Sequence, residues 1–395
     1  MQSEATIHPT DARTHASSWS SVLALSLGAF TLIACEFMPV SLLTPIASDL
    51  GVTDGMAGRA IAVSGGFAVL TSLLLPSFLG RIDRRLLMLG LTGLMIVSAT
   101  IAAIAPNYAI FMIGRAFVGV AIGGFWSLSA ATVMRLVPDD QVPKALAVLN
   151  GGNALATIVA APLGSFLGGL IGWRGAFFFV VPIAVSAFLW LWLSLPALEA
   201  PARTGGTGIL SILRRKVVVI GMLGVGLLFM GQFALYTYVR PFLETVLNVD
   251  VALLSLILLA IGIAGFVGTA LIGFVLDRRL HATLAAIPLL MASVAAALVI
   301  AGTSMHVVVS LLILWGFLAT AAPVGWWTWL ARTLPDDAEA GGGLMVAVVQ
   351  LAITLGATVG GMIFDGSGYQ ATFIFAAAIL VASAIASMAA SRSAR

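Results

Sequence analysis

Apolar runs of roughly twenty residues recur along the chain, separated by short clusters of Pro, Gly and charged residues. A helix needs about 20 residues, at ~1.5 Å each, to cross the roughly 30 Å hydrocarbon core of a bilayer. Cutting the runs at those clusters predicts helices over 20–47, 56–79, 86–104, 108–133, 144–170 and 176–196, then 217–243, 252–276, 282–302, 305–330, 342–364 and 370–390. The run after residue 18 is longer than the apolar region of a secretory leader and lacks a cleavage site, so it reads as the first span. One long polar stretch, 197–216, divides six spans from six. The predicted architecture is an all-α membrane protein: a tail (1–19), a six-helix bundle (20–196), a linker (197–216), a second six-helix bundle (217–390) and a short tail (391–395).

Composition removes the soluble alternative. Of 395 residues, 61% are hydrophobic and 9% charged, against roughly a quarter charged in a soluble domain. So few polar side chains cannot cover a water-facing surface, and the apolar exterior must face lipid. The net charge of +3 comes from the loops. With both termini cytoplasmic, fifteen of the nineteen Lys and Arg residues fall on the cytoplasmic side, Arg59, Arg174 and Arg240 fall on the other, and Arg115 lies within a span. This is the positive-inside asymmetry, and it fits an even number of crossings. No basic helix with interleaved aromatics points to nucleic acid. A single cysteine, Cys35, excludes an internal disulfide, and the four histidines lack metal-ligand spacing. No GxxxxGK[ST] pattern supports ATP-driven work, and no nucleophile–base pair, paired acids or metal cluster supports an enzyme. No cofactor is expected.

The two halves repeat. Glu36-Phe37 with Pro45 matches Gln232-Phe233 with Pro241, and Asp83-Arg84-Arg85-Leu86 matches Asp277-Arg278-Arg279-Leu280. Arg135 to Asp140 matches Arg332 to Asp337, and Gly172-Trp173 with Phe177 matches Gly368-Tyr369 with Phe373. All four matches run in order at offsets of 194 to 197. A duplication of six helices keeps both halves in one orientation, with a cavity at their interface near the midplane.

These loop motifs, the duplication and the linker resemble the major facilitator superfamily over nearly the whole chain, and within it the drug:proton antiporters of twelve helices. Arg115, Gly119 and Gly123 resemble that family's fourth-helix signature. Ala161-Pro162-Leu163-Gly164 resembles its fifth-helix antiporter motif, with Ala161 in place of the usual Gly. The loop with Arg81, Asp83, Arg84 and Arg85, and its repeat at Asp277 and Arg278, resembles the gating loop in part, with its acid displaced. The strings EFMPVSLLTPIASDLG, GGFWSLSAATVMRLVP, APLGSFLGGLIGWR and GQFALYTYVRP are similar to those of bacterial purine ribonucleoside efflux pumps. The resemblance implies a monomer in the bacterial inner membrane that exports inosine- or guanosine-like compounds against proton entry. Exporters of sugars and drugs share several of these strings, and symport is the other coupling mode.

Ionisable groups inside a membrane are costly and tend to be functional. Glu36 is the carboxylate set deepest in any span of the first half, about 16 residues or ~24 Å from the cytoplasmic end. Such a group can load and release a proton as its exposure and partner change; the alternative is a static Glu–Arg lock. Arg115, ~12 Å deep from the other side, sits at a similar level and is the expected partner. Its bland reading is that it caps backbone carbonyls. Gln232, the repeat-mate of Glu36, shares a helix face with Tyr236. An amide, a phenol and an aromatic plane suit a purine, while interhelical glue is the plain alternative. Asn150, Asn153 and Gln350 are further embedded amides, with Asn150 and Gln350 candidate substrate contacts and helix glue the bland reading, and Arg240 is expected to snorkel. Trp126, Trp326, Trp327 and Trp329 crowd one level; a membrane belt is expected for most, with Trp126 the candidate for the cavity.

Overall fold

The structure is a computed structural model that describes residues 9–78, 82–198, 209–301, 304–334 and 337–393. Its helices are α1 (Pro9–Ser41), α2 (Leu43–Leu50), α3 (Asp54–Phe78), α4 (Arg84–Ile104), α5 (Tyr108–Leu136), α6 (Val142–Ser194), α7 (Ile209–Ile212), α8 (Lys216–Tyr236), α9 (Val239–Val246), α10 (Val251–Ile300), α11 (Met305–Thr333) and α12 (Ala338–Ser393). Ten stretches among the described residues are long and apolar enough to span a bilayer. Two of them, 51 and 52 residues long, carry two crossings each.

The doubling back in α6 is visible in its contacts. Ser26 Oγ donates to Val148 O and Ser21 Oγ to Ser194 O. Those carbonyls would lie ~69 Å apart on a straight helix, yet their donors are five residues apart on α1. The chain reverses at Gly172, with φ 75°. Its counterpart in α12 is Gly368, with φ 77°. A left-handed backbone favours glycine, and the two sites are 196 residues apart, so the duplication extends to backbone dihedrals. Among the described residues this gives twelve crossings in two pseudo-symmetric halves, as the apolar pattern predicts. Side chains such as Leu193, Phe274 and Ile300 stay 79–88% exposed, an apolar exterior that suits a multi-pass membrane protein.

Some expected boundaries move. The helix at the N-terminus starts at Pro9, inside the segment read as a polar tail. The segment read as linker contains α7. The spans read as continuous over 20–47 and 217–243 are each broken, at Leu42 and at Thr237–Tyr238. Leu42 (φ −118°, ψ 12°) and Tyr238 (φ −106°, ψ 13°) are repeat-mates with nearly identical dihedrals.

Buried side chains form one cluster mostly from residues 22–198 and another mostly from residues 212–380. A third, with Val40, Ile61, Phe233, Ile353 and Ala357, joins the halves. After an even number of crossings, the start of α1 and the end of α12 lie at one end of the described molecule, called here the terminal face; the Gly172 and Gly368 turns mark the opposite, far face.

Candidate functional site

Two prolines set the chemistry of the first span. Pro39 lies inside α1 and has no N–H, so the carbonyl four residues back, on Cys35, loses its helical donor. Arg115 Nη1 supplies one at 2.6 Å. The rest of the Arg115 guanidinium reaches Glu36 O (3.0 Å), Ser64 Oγ (3.0 Å) and Ala60 O (3.1 Å). Pro45 likewise frees the Ser41 carbonyl, which accepts from Arg240 Nη1. Arg240 is 5% exposed and also pairs with Glu244 at 2.8 Å. It therefore does not snorkel; it ties α9 to α1.

Glu36 is 3% exposed. Arg115 donates to its backbone carbonyl and not to its carboxylate, so the expected Glu–Arg pair is a charge interaction without a direct bond. The carboxylate accepts instead from Gln350 Nε2 of α12, at 3.3 Å. A hydrogen bond across 314 positions thus joins the embedded acid of one half to an amide of the other.

Around this bond lies a cavity of about 580 Å³, lined by Glu36 and Phe37 of α1, Trp126 of α5, Asn150, Asn153 and Thr157 of α6, Phe229, Gln232 and Phe233 of α8, Trp327 of α11 and Gln350 of α12. The lining reaches Ala147, near the start of α6, so the cavity extends toward the terminal face. A narrower lobe of about 90 Å³ adjoins it, bounded by Gln232, Phe233, Tyr236, Trp315 and Thr320. Phe37 and Phe233 stack across the halves with centroids 5.6 Å apart, and Phe229 continues the slab at 6.5 Å. Gln232 Oε1 and Gln350 Oε1 are buried without a partner, and Asn150 Nδ2 binds Leu146 O of its own helix.

The far face is sealed. Asp365 of α12 accepts from Thr53 Oγ1 at 2.6 Å and from Gly55 N at 2.9 Å, so a carboxylate of one half caps α3 of the other. Thr354 Oγ1 reaches Ala62 O at 3.3 Å. The seam is built from glycines: a Cβ on Gly55 would meet the Asp365 carboxylate, and one on Gly58 would meet the Tyr238 phenol. The cavity is closed to the far side and extends toward the terminal side.

A family model described as Major Facilitator Superfamily matches residues 25–345. The chain belongs to the major facilitator superfamily. A Pseudomonas aeruginosa protein named Transcription regulatory protein OpdE is 59% identical over 380 residues, covering 95% of this chain and 94% of that protein. The Purine ribonucleoside efflux pump NepI of Salmonella paratyphi C is 40% identical over 368 residues, covering 93% of each. A bacterial homolog of the human lysosomal transporter Spinster, in an inward-facing and occupied conformation, matches with TM-score 0.79 at 15% identity, covering 94% of this chain and 96% of that one.

Arg81 lies outside the described residues, as do the side chains of Asp277 and Arg278. Asp83 caps α4 by accepting from Arg85 N (2.7 Å) and also from Leu198 N (3.2 Å). Arg85 Nη2 donates to Trp192 O at 2.7 Å, and Arg84 is buried beside that junction, its N–H on Leu198 O. The loop therefore grips the end of α6. A Cβ on Gly119 or Gly123 would run into the Ser64 or Ala68 carbonyl, so these glycines let α5 lie against α3. Gly164, two residues after Pro162 in α6, abuts Ser41 and Met38.

The expected tryptophan belt does not hold for Trp326 and Trp329, while Trp126 lies where the cavity candidate was expected. Trp326 and Trp329 are 2% and 1% exposed and fill slots over Gly224 and Gly221 of α8, while Trp126 and Trp327 line the cavity. Sequence reasoning also missed Phe37, Phe229, Phe233, Thr157 and Trp315. In an apolar helix nothing local marks a phenylalanine that faces a cavity.

Proposed function

We propose that this transporter is a proton-coupled exporter of purine ribonucleosides such as inosine or guanosine, in the bacterial inner membrane with its terminal face toward the cytoplasm. The observation that carries the reading is the Glu36–Gln350 hydrogen bond at the cavity, beside the unpartnered Gln232 amide and the Phe37–Phe233 slab. An acid in contact with the cavity lets a proton and a solute compete for one conformation, which antiport requires. The aromatic slab offers a face to a flat base, and the amides offer edges. The 40% relative, whose printed name is a purine ribonucleoside efflux pump, supports the substrate class.

In this reading, Glu36 exchanges a proton with the far side when the halves part there, and with the cytoplasm when the cavity faces inward. Its bond to Gln350 forms or breaks as the halves rock, so occupancy of the acid is tied to the position of the halves. The name of the 59% relative refers to transcription; an exporter would affect transcription by changing the level of its solute. Everted membrane vesicles test the proposal. Inosine should accumulate on energisation and release luminal protons, and Glu36→Gln should abolish the coupled accumulation while leaving exchange of inosine for inosine. Full coupled accumulation in Glu36→Gln, or inosine movement unaffected by a pH gradient, would overturn it.

A further inference from the structure

The narrow lobe has polar groups that nothing in the protein satisfies. Trp315 of α11 lines it, is 1% exposed, and its Nε1 has no hydrogen-bond partner. Gln232 lines both lobe and main cavity, and its Oε1 is also unpartnered. A buried polar group left unpaired is costly, so a ligand that pairs it recovers that cost. The indole N–H can only donate, whereas an amide can turn to present either end. Whatever enters the lobe must therefore bring an acceptor to Trp315, and it gains most by bringing a donor to Gln232.

Size narrows the occupant. The lobe offers about 90 Å³, and a single water needs roughly 10–15 Å³ on this scale. That is room for roughly six to nine waters, enough for the polar edge of a flat ring and not for a whole nucleoside. The sugar would stay in the larger cavity, among Asn150, Asn153, Thr157 and Gln350.

We propose that the narrow lobe is the base-selecting subsite. A 6-oxopurine seats its polar edge there with its face against Phe233, its 6-oxo oxygen accepting from Trp315 Nε1 and its N1–H donating to Gln232 Oε1. Trp315 and Gln232 are then specificity-determining residues. This rests on the reading that the chain exports purine ribonucleosides.

The test uses everted vesicles with the full chain and three probes: inosine, the purine riboside that lacks the 6-oxo group, and 2′-deoxyinosine. Wild type should favour inosine over the purine riboside by about tenfold or more in kcat/KM. Trp315→Phe keeps an aromatic plane and removes the N–H; it should lower inosine about tenfold, leave the purine riboside unchanged and leave the ratio of inosine to 2′-deoxyinosine unchanged. Gln232→Leu should erase the same preference and serves if Trp315→Phe fails to insert. Equal losses for all three probes would mark a structural role and overturn the inference. Inosine uptake with the base preference intact in both variants would sink it while leaving the export reading standing. No purine ribonucleoside uptake by wild type would sink both.

Discussion

The Asp365 cap on α3 exists only while the far face is closed, so its removal should shift the conformational equilibrium in a known direction. Asp365→Ala deletes two hydrogen bonds, to Thr53 Oγ1 and Gly55 N. Bonds to a charged group are worth ~1.5–3 kcal/mol when buried, but Asp365 is exposed and partly screened by solvent. Discounting for exposure leaves roughly 1–3 kcal/mol in total, or about a fivefold to 150-fold change in the closed-to-open ratio. Spin labels on Ile104→Cys and Ser304→Cys, far-face positions on opposite halves, read that ratio directly in a Cys35→Ala background. The long-distance population should grow in Asp365→Ala, and less so in Asp365→Asn, which keeps an acceptor. Gly55→Ala, whose Cβ would press on the same carboxylate, should move the population the same way. An unchanged distance distribution in Asp365→Ala would show that the cap does not hold the far face shut.

Other consequences are open to measurement. Arg115→Leu should lower stability by about 1–3 kcal/mol by stranding the Cys35 carbonyl, and less in a Pro39→Ala background, where residue 39 regains a donor; additive losses in thermal melts would rule out this link. Gly119→Val should separate α5 from α3 and cut the yield of folded protein, whereas Gly90→Val, with open space around it, should be tolerated in the same detergent-extraction assay. Asp49, outside the spans, is held below the usual carboxylate range by the hydrogen bond from Arg174. A depressed pKa adds stability above the unfolded value of about 3.9 and loses it as pH falls through the folded one. Asp49→Asn should thus cost less than about 1 kcal/mol at pH 7, with the gap closing on acidification below pH ~4; a gap that is constant with pH would refute the assignment.

The sequence by itself determined the crossings, the duplication and the unusual acid. Hydropathy depends on local composition, so twelve apolar runs were legible from the chain alone. The duplication was legible because turn residues repeat, and the matching dihedrals at Gly172 and Gly368 bear it out. Glu36 stood out because a charge in lipid is conspicuous. The hydrogen-bond donor to that acid's carboxylate was not legible. Depth along a helix singled out Arg115, but depth says nothing about azimuth, and the freed carbonyl behind Pro39 claimed the guanidinium. Gln350, 314 residues away, took the carboxylate. The tryptophans failed for a related reason. In a soluble protein polarity separates the inner face of a helix from the outer one, but lipid and packed interior are both apolar, so the pattern does not show which way a side chain points. Only the packing of α8 against α11 decided that Trp326 and Trp329 are buried over glycines while Trp327 lines the cavity.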